Sequence, residues 1–202
     1  MSQAWEMFKR DAARWQVPEQ LGDPDKIGVL QTVLLLRRYR PLRAIAWFRL
    51  GSWGRDRGIR GMAWFAGEQI QRKYGLDLPV STDIGAGFYL AHPSGVSITA
   101  DRIGENASLV GALTIGINGM GNAPTIGDNV YIGAGARVIG SITVGHNVKV
   151  GANSVVVGDV EDGLTVVGAP AKPTRASLEA STQAALPPTG SNPGESIEGQ
   201  TH

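Results

Sequence analysis

Histidine is the side chain whose ordinary pKa lets it trade protons near neutral pH, and this 202-residue chain carries three of them and no cysteine. His92 stands in Leu90-Ala91-His92-Pro93-Ser94-Gly95, His146 in Val144-Gly145-His146-Asn147, and His202 ends the chain. With no thiolate, the chemistry open to these residues is general base catalysis. A neutral imidazole takes the proton of a hydroxyl as its oxygen attacks, then returns it to the leaving group. His146 occupies a routine corner of a regular repeat and His202 closes a polar tail, so neither has a context for a role. His92 stays open between two readings, a general base and a structural corner residue. A metal-dependent hydrolase would need three histidines meeting on one ion, which this distribution does not offer.

The elements that must position His92 follow a period of six. Ile126, Ile132, Val138, Val144, Val150 and Val156 recur at every sixth position, and four of the six are followed by glycine. A helix repeats at three and four and a plain strand at two, so each hexad reads as one short strand plus one turn. Val130, Ala136, Ile142, Val148 and Ser154 form a second row of apolar or small residues, as an inward row would in stacked hexads. The pattern predicts a parallel β-helix. Hexads begin at Ile84-Gly85 and Leu90-Ala91, slip by one residue between Val96 and Ile103, and resume at Ile103-Gly104, Leu109 and Ile115-Gly116. Eleven residues separate Ile115 from Ile126, so Ile117 to Pro124 is expected to leave the coil as a loop, and such loops carry function. Asn118 and Asn122 in it offer neutral donors and acceptors to a bound molecule.

Three regions are expected: helical from 1 to 76, a β-helix from 77 to 175, and a disordered tail from 176 to 202. Trp5, Phe8, Ala12 and Trp15 stand at helical spacing before a stop at Pro18. Ile27 to Tyr39 is apolar enough to predict a buried helix. Pro41 then interrupts, and Leu42 to Arg55 and Ile59 to Tyr74 predict two more helices around Asp56-Arg57-Gly58. Beyond Ala176, Ser, Thr, Gln, Pro, Gly and Glu dominate, with too little apolar content to order the segment.

The 19 basic and 18 acidic residues nearly cancel, so no global field recruits nucleic acid. No apolar run is long enough to span a bilayer, and residues 1–26 lack the apolar stretch of a signal peptide. With no disulfide framework in view, a cytoplasmic protein is expected.

Ile132-Gly133-Ala134-Gly135-Ala136, Val150-Gly151-Ala152-Asn153-Ser154-Val155-Val156 and Val167-Gly168-Ala169-Pro170-Ala171-Lys172 resemble the hexapeptide-repeat acyltransferases. The resemblance implies a left-handed parallel β-helix with three hexads per coil. Its handedness rests on the resemblance, because the usual crossover preference is right-handed. Tyr39-Arg40-Pro41, Phe48-Arg49-Leu50-Gly51-Ser52-Trp53, Gln69 and Asp77-Leu78-Pro79 look like the helix-to-solenoid entry of the serine acetyltransferase branch, which includes O-acetyltransferases of surface polysaccharides. A non-catalytic trimeric scaffold is the competing reading from another class.

The resemblance implies acetyl-CoA as co-substrate, no metal, and a homotrimer, since the helical region is shorter than the one that supports a dimer of trimers. It makes His92 the catalytic base and Asp77, fifteen residues earlier, the carboxylate that orients it. Asp77 is also readable as a boundary residue bonded to local backbone. Gly116, Ala134 and Ala152 match positions that line the pantetheine arm, and Lys149 one that meets phosphates. Lys149 is equally readable as a solvated side chain. Exposed backbone N–H groups of the hexads would hold the oxyanion.

Two departures bear on the acceptor. The Asp-His pair of serine acetyltransferases reads Ala91-His92, and their Arg-His pair before a proline reads Asn122-Ala123-Pro124. Burying an amino acid's charges without partners is costly, so a sugar or glycan hydroxyl is the leading expectation and L-serine the alternative. Asp23 or Asp25, near the position of a further acidic group in those enzymes, would restore part of a serine site.

Overall fold

The computed structural model describes residues 2–16, 27–119 and 121–185. Its centre is a left-handed parallel β-helix of about five turns. The first face holds β1 (Leu76–Asp77), β4 (Val96–Ile98), β7 (Thr114–Gly116), β10 (Arg137–Ile139) and β13 (Val155–Val156). The second holds β2 (Asp83–Ile84), β5 (Arg102–Ile103), β8 (Thr125–Ile126) and β11 (Thr143–Val144). The third holds β3 (Tyr89–Ala91), β6 (Ser108–Val110), β9 (Tyr131–Ile132) and β12 (Lys149–Val150), then the antiparallel pair β14 (Thr165–Gly168) and β15 (Ala171–Pro173).

The period of six is the period of this prism. Every residue of the row from Ile126 to Val156 is at most 2% exposed, because each is the inward residue of a two- or three-residue strand. Ile142 of the second row is only partly buried, and Ser154 is buried with its Oγ accepting from Gly168 N at 3.2 Å. The corners where the second face turns into the third hold a residue at positive φ, and asparagine supplies it in three coils. Asn106, Asn129 and Asn147 stand there at φ 57°, 57° and 58°. Their amides form a ladder, Asn106 Nδ2 donating to Asn129 Oδ1 at 3.1 Å and Asn129 Nδ2 to Asn147 Oδ1 at 3.2 Å. His146 belongs to the same edge, where its Nδ1 accepts from Asp128 N at 3.0 Å.

Four helices close the first coil: α1 (Ser2–Ala13), α2 (Val29–Arg38), α3 (Arg40–Asp56) and α4 (Met62–Tyr74). Asp11 is fully buried and pairs with Arg49, whose Nε and Nη2 donate to the carboxylate at 2.7 and 3.0 Å. The same guanidinium donates to the carbonyls of Ile84 and Gly85, both at 2.6 Å, and Asp11 Oδ1 accepts Phe88 N at 2.8 Å. One ion pair thus satisfies peptide groups of the first coil and docks α1 and α3 on it. Burial pushes the Asp11 carboxyl up, against the pull of Arg49.

Two expectations are corrected. Residues 29–38 do form a helix, but not a buried one: Val29, Leu30, Val33 and Leu34 are 47 to 74% exposed, and only Thr32 is fully covered. Apolar density marked the helix without showing that one face lacks a neighbour. Pro41, by contrast, does interrupt the helical run: α2 ends at Arg38, Tyr39 is extended, and Pro41 sits in the first turn of α3, where its missing N–H has no partner to lose. The tail is not irregular throughout, since α5 spans Arg175–Ala185, with Ser177 N bonded to Thr174 Oγ1 at its start. The tail beyond 185 lies outside the described residues. No helix among the described residues is long and apolar enough to cross a membrane.

Candidate active site

His92 sits where the third face turns into the first, on a corner longer than those stacked after it. Pairing of Ala91 with Val110 and of Ser97 with Thr114 means that six steps of chain in the first coil match four in the second. The two extra residues push His92-Pro93-Ser94-Gly95 outward. His92 takes φ 54° and Gly95 φ 73°, both left-handed, and His92 is exposed. A non-glycine residue at positive φ is held there by its surroundings. Here the restraint is Gly95 N, which donates to Gly75 O at 3.0 Å, and Gly75 is the left-handed cap that ends α4.

That cap fixes what faces the imidazole. Gly51 and Gly54 of α3 let α4 lie close: a Cβ at Gly51 would meet Ala66 Cβ at 2.7 Å, and one at Gly54 would meet Met62 Sδ at 2.5 Å. The hairpin so formed brings the start of α3 beside the end of α4. An open cleft of about 560 Å³ results, lined by Arg40, Pro41, Lys73, Tyr74, Gly75, His92, Pro93 and Ser94. Arg40 Nη2 donates to Lys73 O at 3.5 Å, and Lys73 Nζ lies 5.8 Å from the Trp47 ring centroid. Burial pushes the Tyr74 phenol up, with Arg43 and Arg40 opposing.

Ala134 and Ala152 fall in the same column as His92. The pairings of β3, β6, β9 and β12 align His92, Gly111, Ala134 and Ala152 on successive coils, about 4.8 Å apart. Ala134 and Ala152 are exposed, so this edge carries exposed small side chains in register with the imidazole. Lys149 is on the adjoining third face with its side chain outward, paired with Tyr131 and Thr165.

Other predicted residues stand elsewhere. Asp77 ends β1, two residues after Gly75, but its Oδ2 accepts from Ser97 Oγ at 3.0 Å, and among the described residues no hydrogen bond or ion pair joins it to His92. Gly116 ends β7 at the edge between the first and second faces, a whole face away from Ala134. Asn118 and Asn122 lie on the loop leaving that edge, where eleven steps from Ile115 to Ile126 replace the six from Val138 to Val144. Ser141 Oγ anchors the loop by donating to Asn122 O at 3.0 Å. Asp23 and Asp25 lie outside the described residues. Among the described residues no group of three His, Cys, Asp or Glu side chains is placed to hold a metal ion. Sequence spacing does not mark Arg40 and Lys73 as site residues, because they stand 33 positions apart and only the α3–α4 hairpin brings them together.

Residues 123–158 match the family described as "Bacterial transferase hexapeptide (six repeats)". The chain is 37% identical over 137 residues to a serine acetyltransferase of Mycobacterium tuberculosis, covering 65% of this chain and 59% of the relative. A crystal structure of Neisseria gonorrhoeae serine acetyltransferase in complex with serine matches at 30% identity and a TM-score of 0.72, over 86% of this chain and 69% of that one. A serine acetyltransferase in complex with CoA matches at 26% identity and a TM-score of 0.70, over 86% and 70%. These matches define the hexapeptide-repeat acyltransferase family. The chain belongs to that family, in its serine acetyltransferase-like branch. It spans between half and three fifths of the length of the curated relatives from Escherichia coli and Mycobacterium tuberculosis, 52% and 59%.

Proposed function

We propose that this chain is an acetyl-CoA-dependent O-acetyltransferase in which His92 is the general base. The observation that carries the reading is an exposed imidazole on an extruded corner, lining a cleft and standing in register with a column of small residues on the following coils. His92 takes the acceptor's hydroxyl proton as the oxygen attacks the thioester carbon. The C–S bond breaks, an ester C–O bond forms, and the proton passes to the departing thiolate of CoA. Ala134, Ala152 and Lys149 would bind the co-substrate along the His92 edge, and Gly116 from the other edge. Asp77 is proposed to orient the imidazolium from the adjoining strand, through the oxygen that Ser97 leaves free.

Of the two acceptors open on the sequence, L-serine now leads over a neutral sugar. Its support is the run of serine acetyltransferases among the relatives, together with a cleft beside His92 that is cationic and so favours a carboxylate. Asn118 and Asn122, a face away from His92 in one chain, would reach the acceptor only from a neighbouring chain, as a homotrimer provides. The test is thiol release from acetyl-CoA with L-serine and with a panel of sugars. A sugar preferred over L-serine would restore the first expectation, and release with none of them would favour the scaffold.

A further inference from the structure

Resting on that reading, we infer that the acceptor site recognises an anionic group through Arg40 and Lys73, and that it makes no demand for an ammonium group. The acceptor class is then hydroxy acids in general, of which L-serine is one member.

Both halves come from the cleft that holds His92. Arg40 enters it from the first turn of α3 and Lys73 from the last turn of α4, and both are exposed. Neither forms an ion pair among the described residues; the hydrogen bond of Arg40 goes to a peptide carbonyl, and Lys73 faces an aromatic ring. None of the described residues lining the cleft is Asp or Glu, so within its lining the two positive charges have no carboxylate partner. The guanidinium fork suits a carboxylate or phosphate, and the ammonium adds a mobile point charge. An incoming ammonium in this cleft would meet these two cations and no carboxylate among the described lining residues, for the residue before His92 is Ala91 and Asp77 is assigned to the imidazole. Asp77 lines a different cleft, with Trp64, Gln71 and Pro79.

Acetyl-CoA carries phosphates as well, so the shared chemistry is an anion with two sources. His92 marks where thioester and hydroxyl meet, and the phosphates of CoA lie a pantetheine arm away from the sulfur. The anion read beside His92 is therefore the acceptor's.

The experiment measures thiol release by the wild type and by R40A/K73A with L-serine, glycerate, serinamide and glycerol. Glycerate and L-serine are expected to react, serinamide and glycerol poorly. The double variant should raise KM for both carboxylates by roughly tenfold or more while leaving KM for acetyl-CoA unchanged. R40K/K73R should recover most of the loss, and all variants should melt with the wild type. Serinamide reacting as well as L-serine overturns the inference, as does a variant whose KM rises only for acetyl-CoA. If no acceptor releases thiol, the proposed function fails, and calorimetric titration with glycerate then decides the inference alone. Binding that the double variant loses supports it, and no binding overturns it.

Discussion

Gly111 lies in the coil stacked on His92, so close that a Cβ built on it would meet the His92 Cβ at 3.0 Å and the His92 carbonyl oxygen at 3.1 Å. Glycine is favoured there by proximity and not by backbone conformation, since its own φ lies outside the left-handed range. Gly111→Ala should move the His92 corner by a few tenths of an ångström. Overpacking of this kind costs about 1–3 kcal/mol. Displacing a catalytic group by a fraction of an ångström should lower kcat by roughly tenfold. Thermal melting and steady-state kinetics read the two effects separately, and an unchanged kcat would dissociate His92 from the chemistry.

His92 itself makes few packing contacts, so replacing it tests chemistry and not folding. His92→Ala should leave the folding stability within about 0.5 kcal/mol of wild type, as surface substitutions do. Acetyl transfer should fall by at least about 100-fold, the usual share of a general base. Near-normal turnover would assign the base elsewhere.

The buried pair Asp11–Arg49 should dominate the docking of the helices. Arg49→Ala strands a buried carboxylate and leaves the Ile84 and Gly85 carbonyls without their donor. Removing one partner of such a pair costs about 3–5 kcal/mol. Denaturant unfolding checks this, and the double variant D11L/R49M should recover part of the loss because it leaves no charge unpaired.

A second helix-to-coil contact is exposed and pH-sensitive. Arg10 Nη1 and Nη2 donate to the two Glu105 oxygens at 3.1 and 2.7 Å, and the hydrogen bonds to Arg10 hold the Glu105 carboxyl below its ordinary range. A carboxyl whose pKa is depressed on folding stabilises the fold above its unfolded pKa and loses that contribution as pH falls through the folded value. The effect should be less than about 1 kcal/mol, smaller in high salt, and absent from Glu105→Gln. Melting curves of the two proteins should therefore converge in acid.

The β-helix was legible because each inward residue repeats where its own coil returns, so one period encodes both strand and stacking. What lay hidden was set by neighbours that no period records. Asp77 bonds Ser97 because the first coil takes twenty residues between paired positions, a spacing fixed by its extruded corner. The buried carboxylate did leave a trace: Asp11 stands on the same helical stripe as Phe8, Ala12 and Trp15, a charge on an apolar face. Its partner left none, since Arg49 becomes recognisable only when α3 lies across the first coil. The cleft of Arg40 and Lys73 was hidden for the same reason, their 33 residues of separation being closed by the α3–α4 hairpin.

Asn118 and Asn122 occupy one edge of the prism and His92 another, so in a trimer the catalytic edge of each chain should receive the loop of its neighbour. Two inactive variants then test the arrangement without any assumption about the acceptor. His92→Ala lacks the base but keeps the loop, and N118A/N122A keeps the base but lacks the loop side chains. Mixed as equal parts and reassembled from dissociated chains, they should form trimers in which about one site in four pairs an intact histidine with an intact loop. Activity should therefore return to about a quarter of wild type, from near zero in either variant alone. The control is R40A/K73A, whose substitutions share a cleft with His92 in the same chain. A site needing both the base and this cationic pair from one chain gains nothing when His92→Ala is mixed with R40A/K73A, so that mixture should stay at the level of its parents. Recovery in the control but not in the loop mixture would mean that His92 and the loop work within one chain, and the interchain site would be wrong.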